Sequence, residues 1–481
     1  MKRHTPSKRI GLALAACLAW GLSAAAQTQP GSPNATPDRP RGQDQASRSS
    51  PEPETAGDQP APVPVLIDGT ITSLALSSEL ERTNYLTAGA SVGATYDDNI
   101  FSTPSGTGGG FSYFLMPFIA IDESHARLHW NLSYAAGFVA NQHIEPQTQY
   151  AHNLGAELDY RLSPHVNLRL QDHFSITTNF YDQLLLTPTS TPTGTLQQPN
   201  TSLITPLAKQ ISNLASAEMT YQFSPGDMVG GSGSFYNLSF HDVPAVALDL
   251  LNTQSAQGNG FYSHRLAPRN WLGLAYGYQQ LSFDPAVQRS YTQSFLLFDT
   301  MYLNPKATLS VFAGPEISEV DSLVVPASAG VPPIFVITTP TTQRKTLAAG
   351  GVIFTWQGEN TSFQASASRR VSDGGGILGA VELNSVILAA RRKLARFTTF
   401  SVAGIYGDNT ALGTLAAGGA QLQAASGSFS LDQQLRRDLM LTLGYARDYQ
   451  RESGVVSPPA DVNHNRGWIS LTYRFTRPIG R

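Results

Sequence analysis

Between residues 84 and 475 the chain alternates large apolar and polar residues with a period of two. In Leu128-His129-Trp130-Asn131-Leu132-Ser133-Tyr134 every second side chain is large and apolar. Leu154, Ala156, Leu158 and Tyr160 alternate with Gly155, Glu157 and Asp159; Leu439, Leu441, Leu443 and Tyr445 alternate with Met440, Thr442 and Gly444. Ile469, Leu471, Tyr473 and Phe475 are set against Ser470, Thr472 and Arg474. Successive strand side chains point to opposite faces, so each segment predicts a strand with one apolar and one polar face. Eighteen such segments are predicted, near 84–97, 110–122, 126–140, 149–161, 165–179, 209–224, 227–241, 254–266, 270–283, 290–303, 306–318, 344–357, 360–371, 377–391, 396–408, 419–435, 438–450 and 465–475.

A soluble sandwich alternates too. Three features point instead to a transmembrane antiparallel up-and-down β-barrel. The segments commonly run 12 to 16 residues, whereas soluble strands average roughly 5–6 and a tilted membrane strand needs about 9–11. Aromatic residues such as Tyr160, Phe180, Tyr221, Phe223 and Tyr473 gather at segment ends, as in the interfacial girdles of barrels. Connections also alternate in length. Turn-formers such as Leu162-Ser163-Pro164, Ser224-Pro225-Gly226-Asp227 and Asn304-Pro305-Lys306 make the short ones. The stretches 98–109, 180–208, 242–253, 319–343, 409–418 and 451–464 make the long ones. Short periplasmic turns and long external loops are the expected asymmetry. Both ends then lie in the periplasm, which needs an even strand number: eighteen by this count, with sixteen also consistent. No repeat of propeller or solenoid type is visible.

Charged residues make up only 14% of the 481, against about 25% in soluble domains. Beyond the N-terminus no 18-residue stretch is continuously apolar, which excludes a helical membrane bundle. Residues 1–26 read as a secretory signal peptide: Lys2, Arg3, Lys8 and Arg9 precede an apolar run, and Ala24-Ala25-Ala26 supplies the cleavage site. Leu14-Ala15-Ala16-Cys17 offers the alternative of lipidation at Cys17, the only cysteine. After cleavage at Ala26 the chain has no thiol and needs no disulfide. It then carries 28 Lys+Arg against 35 Asp+Glu, net about −7, with no sign of nucleic-acid binding. Residues 27–65, rich in Pro, Ser, Gln and Thr, predict a disordered periplasmic tail. Residues 66–83 suggest a short helix or cap; 84–475 form the barrel and 476–481 a C-terminal extension.

Glu157, Asp159, Arg161, Arg169, Arg370 and Arg474 point inward by parity and are the candidate lumen-lining charges. In a closed barrel the same residues form buried salt bridges. About 16–18 strands leave an aqueous channel, which favours the pore. Asp172 falls on the apolar parity of its strand, which implies either a bulge or a place near the interface. His129 and His173 share the polar face while His152 does not, so a shared metal site is not expected. No Gly-x-Ser-x-Gly motif is present and no catalytic residue is nominated. The nearly uncharged stretches 180–208 and 319–343 either fold inward as a constriction or face outward as surface loops. Tyr96-Asp97-Asp98-Asn99 could hold a cation, but lacks EF-hand spacing; a strand-to-loop cap explains it without metal.

Thr87 to Phe101, a Gly-containing strand ending in Tyr96-Asp97-Asp98-Asn99-Ile100-Phe101, resembles the first strand of a family of β-barrel porins found alongside exopolysaccharide synthesis and secretion systems. The motif covers about 15 residues; the barrel pattern extends the similarity, less specifically, over about 390. The resemblance implies an outer-membrane channel, in some members linked to polysaccharide export. It supplies no catalytic residue and no cofactor. Phe475 is followed by Thr476 to Arg481, whereas such barrels often end on the aromatic residue that the assembly machinery reads.

The expected protein is therefore a porin-like channel for solutes or exported polysaccharide. Its expected partners are outer-membrane lipids, the barrel-assembly machinery and a polysaccharide or a periplasmic export component. A plugged structural or adhesive barrel and a membrane-embedded hydrolase are the alternatives. Residues 27–83 are too few and too polar for a transporter plug domain.

Overall fold

The computed structural model describes residues 84–100, 102, 108–142, 148–177, 208–241, 250–285, 288–324, 339–413, 420–453 and 461–479. The signal peptide with Cys17, the polar tail, the 66–83 segment and most of the long connections lie outside the described residues. Among those described, every regular element is a strand: β1 (Tyr85–Asp97), β2 (Gly110–Ser124), β3 (Leu128–Asn141), β4 (Thr148–Ser163), β5 (Val166–Thr177), β6 (Lys209–Ser224), β7 (Asp227–His241), β8 (Asn252–Ala267), β9 (Asn270–Asp284), β10 (Gln288–Asn304), β11 (Ala307–Val324), β12 (Thr339–Gln357), β13 (Thr361–Gly374), β14 (Leu378–Ala395), β15 (Thr398–Ala411), β16 (Gln421–Arg436), β17 (Leu439–Ser453) and β18 (Asp461–Pro478). Each pairs antiparallel with its chain neighbours, and β1 pairs with both β2 and β18, which closes an 18-strand barrel. The last strand runs three residues past Phe475, so half of the expected C-terminal extension, 476–478, belongs to the wall.

Parity sets the two faces. On β2, Phe111, Tyr113, Leu115 and Ile119 are exposed on the outside, while Phe114, Met116 and Ala120 are buried within. The same outward apolar face recurs on β9 (Leu274, Tyr276, Tyr278), β10 (Phe295, Leu297) and β18 (Ile469, Leu471, Tyr473, Phe475). So much contiguous exposed apolar surface suits lipid and not water. Asp172 is outward with no bulge in β5, whose register with β6 is unbroken; Asn213 Nδ2 donates to its Oδ1 at 3.0 Å.

Several inward aromatics lie across a directly opposed glycine: Phe114 over Gly93, Phe298 over Gly273 and Phe312 over Gly351. A Cβ on Gly273 would clash with Phe298 Cζ, so the ring takes the space a side chain would occupy. Such pairs let a strongly curved wall keep inner packing.

At one end the connections are tight. The register shifts before six of them, at Arg161/Ser163, Gln222/Ser224, Arg265/Ala267, Tyr302/Asn304, Lys393/Ala395 and Gln434/Arg436. A short turn plus a bulge is a standard hairpin closure. Side chains hold some of these turns: Ser224 Oγ donates to Asp227 at 2.6 Å, and Lys306 N to Asn304 Oδ1 at 2.8 Å. We call this the turn end and the opposite one the loop end.

The Tyr96-Asp97-Asp98-Asn99 segment clamps the seam. Asp98 accepts from Asn465 N at 2.7 Å and from Asn465 Nδ2 at 2.6 Å; Asn99 Nδ2 donates to Asn463 O at 2.9 Å. Asn99 N caps back onto Asp97 Oδ1 at 2.8 Å. At the turn end Ile479 N donates to Asn84 O at 2.9 Å, so the first and last wall residues touch.

One part of the wall departs from a plain cylinder. β12 and β13 pair only from Gly350↔Arg369 to Gln357↔Ser362, although β12 continues to Thr339 and β13 to Gly374. Beyond that point the upper hairpin of β13 and β14 turns inside β12, so the wall overlaps itself like a scroll.

Candidate functional site: the barrel lumen

All six charges expected in the lumen have inward parity, and they fall into three places. At the turn end Arg169 Nε binds Asp159 Oδ1 at 2.6 Å and lies 3.9 Å from Glu157 Oε1. Gln171 donates to Glu157 at 3.1 Å, and Glu218 stands opposite Arg169 in register. His129 sits 3.3 Å from Asp122 and 3.8 Å from Asp159. Of these groups His129, Asp159, Arg169 and Glu218, together with Arg161, line a cavity of about 370 Å³. Arg169 and Asp159 are both substantially exposed, so the pair adds little to the stability of the wall. Arg474, opposite Gly89, lies apart on the β18 rim of the same end. Arg370 is higher, on β13.

The histidines are not brought together. His152 faces outward and binds Tyr134 Oη at 2.9 Å, whereas His173 is buried within.

Arg370 lines a second, smaller cavity of about 60 Å³ at mid-barrel. Its polar lining comes from Gln257, Asn259, Gln279, Thr292, Ser294, Ser366 and Glu316. Glu316 Oε2 accepts from Val371 N at 2.9 Å, so a wall carboxylate holds the backbone of β13 where it leaves β12.

Directly above lies the in-folded hairpin. A wall strand has one face on lipid, but Val371, Ser372 and Asp373 are all buried, as are Leu378, Ala380, Val381, Glu382 and Leu383. The hairpin face carrying Val371 and Ala380 packs on Leu281 and Phe283 of β9, Val320 of β11 and Leu347 of β12. The other face, with Leu378, Val381 and Leu383, packs on Leu422 and Ala424 of β16. Its tip reaches β8's end, where Leu251 N donates to Gly376 O at 2.7 Å. Gly375 and Gly376 adopt positive φ, 60° and 82°, which L side chains resist. Gly379 and Gly413 both press on Gln288, which is 1% exposed.

A charged cluster bridges the split. Glu382 binds Arg369 beside it on β13 and Lys345 Nζ of β12 at 3.3 Å. Lys345 is on the inner face of β12 and Glu382 on the outward face of the hairpin; only the overlap lets them meet.

The sequence pattern predicts ordinary wall strands at 360–371 and 377–391, with 180–208 and 319–343 either an inward constriction or outward surface loops. Of those, 178–207 and 325–338 lie outside the described residues, while 319–324 and 339–343 belong to β11 and β12. The signal for the hairpin is nevertheless present. In Ile377-Leu378-Gly379-Ala380-Val381-Glu382-Leu383 apolar residues occupy both parities, the mark of a strand buried on both faces. Asp373-Gly374-Gly375-Gly376 before it supplies a pliant tip.

No protein-family model matches the chain, and no curated protein matches it. Solved structures are similar at low level. Pseudomonas aeruginosa OccK2 (OpdF) is 10% identical, over 82% of this chain and 98% of that one, with a TM-score of 0.40. P. aeruginosa OpdK, solved with vanillate, is 12% identical over 82% and 99%, TM-score 0.37. The siderophore receptor PiuA from Acinetobacter baumannii is 8% identical over 82% of both chains, TM-score 0.39. Likeness this distant says nothing of solute or mechanism; the closed 18-strand barrel stands on the strand pairing itself.

Proposed function

We propose that the protein is a porin-like channel of the bacterial outer membrane, with the turn end in the periplasm, that passes small polar solutes. The observation that carries this is the pairing of a continuous apolar outer face with a polar, hydrogen-bonding interior in an 18-strand ring. A closed ring satisfies backbone groups within lipid, and this strand number exceeds what side chains alone fill. Passage down a gradient needs no catalytic group and no cofactor. Amides and hydroxyls, with Glu316 and Arg370 of opposite sign, share the mid-barrel cavity with Leu296, Phe312 and Ile353, and this mixed lining suits neutral, hydrogen-bonding solutes. Export through the signal peptide, with cleavage after Ala26, and insertion by the barrel-assembly machinery belong to the same reading.

Passage of an exported polysaccharide, fed by a periplasmic component, is the narrower reading. It rests on the resemblance of residues 87–101, where Asp98 and Asn99 serve the seam. The in-folded hairpin favours a second reading, a barrel closed at its loop end.

Planar-bilayer recording of the purified full chain tests both. Discrete conductance steps are expected, together with uptake of neutral sugars into proteoliposomes. A silent wild type that conducts once residues 371–383 are replaced by a short Gly-Ser turn is a closed channel. Silence of both proteins sinks the channel.

A further inference from the structure

We propose that the β13–β14 hairpin is a gate with two seats: the lumen position described above and a position in the wall, paired with β12. The inference rests on the channel reading, and its first readout is independent of conductance.

The wall seat is already built. Above Gly350, β12 has lost its β13 partner yet remains fully extended and paired to β11 as far as Val324↔Thr339. Thr341 to Thr346 are all exposed, Lys345 touches the hairpin through Glu382 on the inner side, and no described strand pairs along the other edge. An unprotected edge is a template for another strand, and natural proteins seldom leave one bare. Its occupant is the strand that leaves it. Continuing the register from Gly350↔Arg369 sets Ala348 opposite Val371, Leu347 opposite Ser372 and Thr346 opposite Asp373. Parity agrees: Val371 and Asp373 would extend the outward row of Ala367 and Arg369, and Ser372 would join the inward row of Ser366 and Ser368. Asp373, buried in the lumen seat, would reach the outer rim.

Specific contacts tie the lumen seat to β11 and β12. They are the Lys345–Glu382 ion pair, the Glu316–Val371 hydrogen bond and the apolar contacts of Val371 and Ala380 with Val320 and Leu347. Arg369 opposes Asn384 and Val371 opposes Glu382 within the β13–β14 ladder, so the Arg369–Glu382 pair travels with the hairpin. Glycines at 374–376 provide a tip that can reorganise.

Cys17 is the only native cysteine, so engineered pairs are unambiguous. Thr346→Cys with Asp373→Cys reports the wall seat; Thr346 faces outward and Asp373 is buried in the lumen seat, so that arrangement cannot join them. Gln288→Cys with Gly379→Cys locks the lumen seat. Under mild oxidation of the full chain in native outer membranes, both disulfides are expected. In bilayers the 346–373 lock should conduct at least twofold more than the 288–379 lock, and reduction should bring each back toward wild type. Failure of the 346–373 disulfide where the 288–379 one forms overturns the gate, as does equal conductance of the two locks. If either double variant fails to fold, as judged by heat-modifiable migration, Lys345→Met decides. A raised open fraction supports the gate and an unchanged one overturns it. Silence of every variant alongside a formed 346–373 disulfide leaves the moving hairpin standing and removes the channel.

Discussion

Lys345 and Glu382 belong to strands that are not hydrogen-bonded to each other, yet Nζ and Oε2 are 3.3 Å apart. The Glu382 side chain is 9% exposed and that of Lys345 52%. A nearly buried carboxylate is thus neutralised by two cations still in contact with water, Arg369 within its own hairpin and Lys345 across the split. Raising salt from 0.1 to 1 M shortens the screening length from about 10 to about 3 Å. Amide hydrogen exchange in a peptide covering 371–383 should quicken at high salt, while the turn-end half of β13 is unchanged. Equal rates at both salts would mean that apolar packing alone seats the hairpin.

Arg169 is the cation nearest the carboxylates of Glu157, Asp159 and Glu218. Arg169→Ala leaves those three acids around the turn-end passage without it. Reversal potentials across a KCl gradient should then shift towards potassium, with little change in unfolding, because the pair is exposed. A shift towards chloride would place these groups away from the ion path.

The two faces of β9 should tolerate charge very differently. Leu274 is 61% exposed on the outer face, and Gln279 lines the mid-barrel cavity. Leu274→Arg should cost about 2–4 kcal/mol if it lies near the bilayer midplane, read as a lower urea midpoint in proteoliposomes. Gln279→Arg should fold normally and lower unit conductance. The reverse pattern would turn the barrel inside out.

The seam clamp should behave as a coupled pair. Asp98→Ala removes both bonds that Asn465 donates to it, whereas Asn465→Ala keeps the backbone N–H bond to Asp98 and loses the Nδ2 bond together with the one from Tyr445 Oη. Each is expected to cost about 1–3 kcal/mol, seen as a lower temperature for the loss of the compact band on gels. Because the Nδ2 bond is shared, the double variant should cost less than the sum of the two single ones. Fully additive losses would show that the two residues act separately.

The strands and their facing were legible because period-two alternation is a local property. Leu154 to Tyr160 announces its two faces without knowledge of any neighbour. The tight turns were legible for the same reason, since Ser224-Pro225-Gly226-Asp227 carries its own geometry. The scroll was not. Gly350↔Arg369 looks like any other cross-strand pair in sequence, and the departure above it depends on Val320, Leu347 and Leu422, brought there from three other strands. Only the doubled apolar parity of 377–383 hinted at it. Asp172 shows the opposite limit: its outward parity was correctly read, but its partner Asn213 is 41 residues away and no local rule could pair them.

The bond from Ile479 N to Asn84 O makes the chain's order around the ring arbitrary in geometric terms. A circular permutant that splices residue 479 to residue 84 through a few glycines, and begins anew at Pro225–Gly226, would visit the same eighteen staves from a different starting point. In the natural order the β1–β18 joint unites the earliest stave synthesised with the latest. Closure of the ring therefore waits on the arrival of the final one, and the permutant would move that closure to β6 and β7.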